Sequence, residues 1–423
     1  MTDATPFAYR DGRLHVEGLP LDEVVAATGT PAYVYSLDAV AGAYRRVAAA
    51  FEPLGAGVLY SVKANASLAV LERLAALGAG FDAVSGGELL RVLAAGGDPA
   101  ATVLAGVGKT EAELALACSR GVTVHVESAE ELDALQAIAG RLGTAGRFAV
   151  RVNPAVEVDT AAAIRTGHDQ AKFGVPAEQA VALLRRAAGA PGLLPVGVHV
   201  HVGSQLPGPE AMAAGARVGL RVLEAGRAAG LRLDTLDAGG GFPVDYGGGE
   251  APGPRAFADA LAPVVAGHGV RLVVEPGRYL VARAGALVAS VLYRKPRGPG
   301  RLLVLDTGMH HLLRPALYGA AHRIVPLRAA AAAGPAEVVG PICESTDVLA
   351  AAADLPDLVP GDQVAILDAG AYGMTMASNY NGQPRPPELV VEGGTARLAR
   401  PRETWEELLA PELAAGARPT RPG

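Results

Sequence analysis

Cysteine is nearly missing from this chain: Cys118 and Cys343 are the only two in 423 residues. They are too few and too far apart for a disulfide framework, so a reducing compartment is expected. Long apolar runs are also missing, and nothing approaches the roughly 20 residues of a membrane span. The opening MTDATPFAYRDGR lacks the apolar middle of a secretion signal, so the expected location is cytoplasmic. Positive charge is not in excess. A net charge of −6 with interspersed acids and bases leaves no basic patch for nucleic acid and no polybasic segment for a membrane surface, although small anionic ligands remain compatible. The most informative scarcity is lysine, with four (Lys63, Lys109, Lys172 and Lys295) against 33 arginines. An amine can lose its proton when desolvated and condense with an aldehyde, whereas a guanidinium stays charged. Lys63 closes the apolar stretch VLYSVKAN, from Val58 to Asn65, and is a candidate to carry a Schiff base. The plainer reading is a strand-end lysine reaching for solvent.

Half of the residues are apolar, enough for a sizeable core. Residues 1 to about 35 read as short strands, RLHVEG and PAYVYS. From VLYSV onward, apolar strands alternate with helical spacing. VLYSV leads through an N-cap at Ser67 into LAVLERLAAL, which stops at Gly78. Then come GFDAV, TVLAG, TVHV, RFAVRV, PVGVHVHV, DTLDA and RLVVE, which makes eight strands, seven of them followed by a helix. That count predicts an α/β fold, a closed (β/α)8 TIM barrel, with an open doubly wound sheet as the alternative. After about Arg283 the helical rhythm stops. ALVASVLYRK, GRLLVLDTG, AEVVGPICES, DQVAILDAGAY and PELVVEGG read as strands of a second, mainly β domain. The expected division is a barrel over 36–282 and a β domain made of 1–35 and 283–423.

Barrel active sites lie where the strands end. Lys63, Ser85 to Glu88, His201 to Gln205, Asp237 to Gly241 and Glu275 to Arg278 all fall on that rim. The loops after strands seven and eight, GGG at Gly239, Gly240 and Gly241 and EPGR with Gly277 and Arg278, sit where barrels commonly hold phosphate. Together with a lysine and a carboxylate they point to pyridoxal 5'-phosphate. Lys63 would anchor its aldehyde, the glycines and Ser204 its phosphate, His201 would stack on the ring, and Glu275 would bond the ring nitrogen and keep it an electron sink. His199 and His201 share a strand face and could ligate a metal, but no third ligand stands at a suitable spacing, so no metal is expected.

YSVKAN, FDAVSGGEL, TGHDQAKFG, HVHVGSQ, LDAGGGF, EPGR, DTGMHHLLRPALYGAAH, CESTD and GAYGMTMASNYNGQPRP, in that order, resemble the fold type III pyridoxal phosphate decarboxylases across almost the whole chain. The resemblance implies an alanine-racemase-like barrel with a β domain, working as a homodimer with shared active sites. By position, Arg278, Arg314 and Tyr318 resemble contacts to the substrate's carboxylate and amine. Cys343 and Glu344 resemble a pair given by the partner subunit, the first as proton donor and the second binding a distal amino group. Tyr372 resembles a residue that touches cofactor phosphate and substrate. RPALY also places a cation and a phenol four apart, suited to a carboxylate if that turn is helical. Two departures bear on substrate: Asp159, Thr160 and Ala161 replace a family stretch containing histidine, and His310 with His311 precede RPALY where a polar residue is expected.

The implied reaction is decarboxylation of meso-2,6-diaminopimelate to L-lysine and CO2, the last step of lysine biosynthesis. The alternative is a related decarboxylase acting on another basic or carrier-bound amino acid in specialised metabolism. Glu344 favours the first, because a distal ammonium calls for a carboxylate. Racemization on the same barrel calls for a weaker electron sink than Glu275 provides. A barrel that merely stored the cofactor would have no need of Cys343, Glu344 and Tyr372.

Overall fold

The computed structural model describes residues 5–156, 172–247, 251–298 and 300–416. It comprises two compact units, Val40–Val281 and Met1–Ala39 with Ala282–Gly423.

In the larger unit eight parallel strands form a ring: Gly57–Ser61, Gly80–Ala83, Thr102–Leu104, Thr123–Val126, Gly146–Asn153, Leu193–Val200, Thr235–Asp237 and Arg271–Val274. The last returns to the first, with Val273 beside Gly57 and Val274 beside Val58. That closure excludes the open sheet. Seven helices follow the first seven strands: Leu68–Ala75, Gly86–Ala94, Glu111–Arg120, Ala129–Leu142, Ala177–Ala187, Glu210–Ala228 and Pro254–Val265. Local chemistry sets several of their ends. Ser85, Thr110 and Ser128 each accept the backbone N–H three residues on, and left-handed glycines at 121 and 143 stop two of the helices. Ser67 stands at the predicted N-cap position but makes no capping bond. Its own N–H instead donates to Asn65 Oδ1 at 3.0 Å.

The interior of this barrel departs from the usual stack of branched apolar layers. Leu59, Val103 and Val273 make a thin apolar plug. Ser61, Asp82, His125, Arg151, His199, Asp237 and Glu275 are also buried, on the same strands or at their ends.

The second unit is built on one long strand, Gly285–Arg297, whose first half pairs antiparallel with both Ala32–Ser36 and Gln363–Ile366 and whose second half pairs with Gly300–Leu305. Pro335–Val339 and Val348–Asp354 extend one edge. On the other side Ala32–Ser36 pairs parallel with Glu388–Glu392, and Thr395–Arg400 lies beyond it. Ala32–Ser36 has a paired strand on each edge, and all five of its residues are buried. Leu14, Val34, Val288, Ala365 and Leu389 belong to the core beneath it. Among the elements that escape the sequence reading are the helices Leu37–Phe51 and Trp405–Gly416 and the strands Val348–Asp354 and Thr395–Arg400. The alanine run in Val348–Asp354 has little strand preference of its own, and pairing holds it.

Candidate active site

Lys63 lies in a single turn, Val62–Ala64, directly after the first barrel strand. Its Nζ is 2.6 Å from Asp82 Oδ2, and its side chain is 38% exposed, against 1% for Asp82. Ser61 Oγ donates to the same carboxylate oxygen at 2.9 Å. Burial pushes the Asp82 carboxyl up, but the Lys63 ammonium and these hydrogen bonds outweigh it and hold Asp82 well below the usual carboxylate range. The lysine is therefore pinned in the barrel mouth and does not trail into solvent. Asp82 is absent from the sequence-based site, although a charged residue inside the apolar strand GFDAV was the available signal.

Glu275 ends the eighth strand, buried, with Oε1 lacking any hydrogen-bond partner. Burial, then the Asp82 charge, raises its pKa. His201 Nδ1 accepts the Gly240 N–H at 3.1 Å, so the ring's proton sits on Nε2. Burial pushes this pKa down to about 3, which leaves a flat neutral ring. The glycine triplet is not a loose turn. Gly239 and Gly241 have φ of 73° and 110°, and a Cβ on Gly240 would come within 2.2 Å of the Glu275 carbonyl oxygen. The N–H groups of Gly239 and Gly240 are already used, by Asp237 Oδ1 at 2.9 Å and by His201 Nδ1. Arg278, also buried, supplies the cationic part of the rim: Nη1 donates to Tyr246 Oη at 2.9 Å and Nη2 to Ser204 Oγ at 3.3 Å. Gln205 bonds both N–H and carbonyl of Val244, tying the sixth and seventh loops together. Gln205 falls on the predicted rim, whereas Tyr246 escapes the sequence-based site. Ser85 and Glu88, read as rim residues, cap a helix: Ser85 Oγ accepts the Glu88 N–H and Glu88 Oε2 accepts the Val84 N–H.

These groups fit pyridoxal phosphate. A reachable amine suits the aldehyde, an unpaired buried carboxyl oxygen suits the ring nitrogen, and a neutral imidazole face suits the ring. A guanidinium with two hydroxyls beside a tight glycine loop suits the phosphate.

In the β unit, RPALY does form a helical turn, Arg314–Tyr318. Arg314 is buried and donates to His322 Nε2 at 2.7 Å, while His322 Nδ1–H donates to the Leu367 carbonyl at 2.9 Å. Tyr318 is exposed. Tyr372 has φ of 57°, a left-handed conformation uncommon for a non-glycine residue. Cys343 and Glu344 are exposed on a loop held from inside by Asp347, whose carboxylate accepts the N–H groups of Met309 and Ile342. Asn381 Oδ1 accepts the Cys343 N–H at 3.0 Å, and Tyr380 Oη donates to Glu344 Oε1 at 2.5 Å. His310 and His311 are buried with ring centroids 3.6 Å apart. Asp159, Thr160 and Ala161 lie outside the described residues.

A closed barrel with an amine, a buried carboxyl with one open oxygen and a cationic rim at its mouth defines a class that grips a phosphorylated pyridine aldehyde. Residues 37–282 match the family model described as pyridoxal-dependent decarboxylase, pyridoxal binding domain, and the chain belongs to that family. Over 403 residues it is 41% identical to the diaminopimelate decarboxylase of Neisseria meningitidis serogroup A, covering 95% of this chain and 99% of that one. It is 43% identical over 410 residues to that of Pseudomonas aeruginosa, covering 96% and 98%. The crystal structure of diaminopimelate decarboxylase from Helicobacter pylori complexed with L-lysine matches with a TM-score of 0.90 at 36% identity, covering 93% of this chain and all of that one. Among the described residues no helix is long and apolar enough to cross a membrane.

Proposed function

We propose that the chain decarboxylates meso-2,6-diaminopimelate to L-lysine and CO2 in the cytoplasm, as a homodimer in which each active site takes residues from both subunits. The observation that carries this reading is the Lys63 amine held by Asp82 in a barrel whose eighth strand leads into Glu275, one carboxyl oxygen of which has no hydrogen-bond partner, in a chain whose relatives of near-equal length carry that activity in their names. Bound pyridoxal phosphate supplies a ring that takes up the electron pair left when the carbon–carboxylate bond breaks. The chain's own groups do the rest. Lys63 would anchor the cofactor through its amine. Glu275 holds the proton on the ring nitrogen. His201, neutral, would pack against the ring without adding charge. Ser204, Arg278, Tyr372 and the glycine loop hold the phosphate, with Gly241 as the member of the triplet whose N–H no described bond claims. Arg314 and Tyr318 receive a substrate carboxylate. From the partner subunit, Glu344 binds the distal ammonium and Cys343 returns a proton to the carbon that lost its carboxyl. Exposure of both side chains on a braced loop supports their reaching another subunit.

The test is release of CO2 from a panel of amino acids, with the amine product identified. L-lysine from meso-2,6-diaminopimelate, at one CO2 per lysine, is expected, and clear preference for another basic or carrier-bound amino acid would replace this reading. Lys63→Ala should lose both the visible absorption of the holoenzyme and turnover; retention of both would remove Lys63 as the anchor.

A further inference from the structure

Below the barrel mouth, four side chains meet out of reach of bulk solvent. His125, His199, Asp237 and Glu275 are all buried, and a polar atom of each lies within 4.8 Å of the others. The two imidazoles stack at 4.2 Å. His199 Nε2 is 3.3 Å from Glu275 Oε2, His125 Nδ1 is 3.9 Å from Glu275 Oε1, and His125 Nε2 is 3.9 Å from Asp237 Oδ2. Asp237 Oδ2, Glu275 Oε1, His125 Nδ1 and both His199 nitrogens have no hydrogen-bond partner. Five unpaired polar atoms in one buried space are costly unless protons or a ligand satisfy them. A second observation concerns access. A cavity of about 140 Å³ at the N-terminal ends of the strands is lined by the exposed residues Ala100 and Arg271 and also by His125 and Asp237.

We propose that Asp237 is a neutral carboxylic acid and His125 and His199 are neutral imidazoles, the three acting as positioning residues that keep Glu275 the single anion of this layer, facing the ring nitrogen of the cofactor. The inference rests on the cofactor reading above. Two carboxyls this close and this dry do not both ionise, and two stacked imidazoles do not both protonate. One arrangement of the protons uses four of the five orphan atoms and leaves His199 Nδ1 aside. His199 Nε2–H donates to Glu275 Oε2. After a small side-chain rotation, Asp237 Oδ2–H donates to His125 Nε2, and His125 Nδ1–H donates to Glu275 Oε1. Each proton keeps one donor and one acceptor, and Glu275 gains two N–H groups. A carboxylate so bonded is a weaker base, so the proton it shares with the ring nitrogen stays on the ring. Burial and then Glu275 raise Asp237 well above its usual range. Burial lowers both imidazoles well below theirs, aided by His199 for His125 and by Arg151 for His199. Asp82, Lys63, Lys109 and His201 are the other charged or titratable groups acting on the layer. The cavity lets protons reach the layer from the side away from the cofactor.

The test uses holoenzyme reconstituted with pyridoxal phosphate labelled with 15N in the ring, read by NMR, together with its infrared spectrum. At neutral pH the wild type should show a protonated ring nitrogen and a protonated-carboxyl stretch. Asp237→Asn should erase that stretch and leave the nitrogen signal in place, because one neutral group replaces another. His199→Phe should move the signal toward unprotonated pyridine with cofactor still bound, and His199→Asn, which keeps an N–H donor, should restore it. Three results would overturn the proposal: a nitrogen signal displaced by Asp237→Asn, an infrared stretch indifferent to it, or one equivalent of metal surviving dialysis of the holoenzyme against a chelator. In D2O the stretch should shift while cofactor fills the mouth; a fixed stretch would remove the cavity as the route. Wild-type protein that takes up no cofactor would instead sink the proposed function, and the Asp237 stretch would still be readable in that protein.

Discussion

His310→Leu should relieve an acid sensitivity built into the β unit. Both ring nitrogens of His310 are buried without hydrogen-bond partners, and burial pushes its pKa from the ordinary 6.5 to about 4. The folded value lies below the unfolded one, so the unfolded chain takes up the proton first. Stability is then complete above pH 6.5 and is lost as the pH falls toward 4. At 1.36 kcal/mol per pKa unit the full loss is about 3 kcal/mol, of which about 2 kcal/mol is gone at pH 5. His311, pushed to about 3 by burial and then by His310, adds its own share, but protonation of one ring opposes protonation of the other across 3.6 Å. Removing His310 should therefore return about 2 kcal/mol at pH 5 beyond any change at pH 8. Denaturant unfolding of wild type and variant at both pH values, followed by circular dichroism, measures that difference of differences. An equal effect of the substitution at pH 5 and pH 8 would refute the argument, since a packing change has no reason to depend on pH.

Glu275→Gln should keep the cofactor but cut turnover by about two orders of magnitude or more, the usual scale for a positioned charge acting on a transition state; unchanged turnover would take Glu275 out of the mechanism. Glu344→Ala should weaken diaminopimelate by roughly 1.5 to 3 kcal/mol more than a substrate without the distal amine, the worth of one charge-assisted hydrogen bond, and competition kinetics with both substrates would expose an equal loss. Lys63→Ala and Cys343→Ala subunits, each nearly inactive alone, should on mixing recover roughly a quarter of wild-type activity, since about half the dimers are mixed and each of those has one intact site of two. No recovery would mean that both residues serve the same subunit's site.

The barrel was legible because each strand is an apolar run punctuated by a cap or glycine, and eight such runs in succession leave few alternatives. Lys63, Glu275 and the glycine triplet stood out because they end strands. Asp82 did not, because its meaning depends on a neighbour 19 residues earlier that only strand pairing brings to 2.6 Å. His125 was hidden, and the inward role of Asp237 with it, for a related reason: alternation along a strand tells inside from outside only when the inside is apolar, and here the inside is polar. Val348–Asp354 was invisible because alanine carries no strand signal. The separate uses of the Gly239 and Gly240 N–H groups follow from backbone geometry, which no residue type announces.

The pairing of Ala32–Ser36 sets an order of events at the ribosome. This strand leaves the ribosome early, yet its two neighbours are Gly285–Arg297 and Glu388–Glu392. At roughly 5 to 20 residues per second, the second neighbour follows about 20 to 70 seconds later. All the strands of the barrel are synthesised within that interval and need nothing from it. Tyr33, Val34 and Tyr35, fully covered in the finished sheet, have neither edge paired until Gly285–Arg297 is made and one edge still open until Glu388–Glu392 follows. Unpaired apolar edges invite association with other chains. The nascent chain should therefore be most aggregation-prone after the barrel has formed and before its last strands appear, so a stalled or truncated product ending before Glu388 should be recovered with chaperones or in the insoluble fraction.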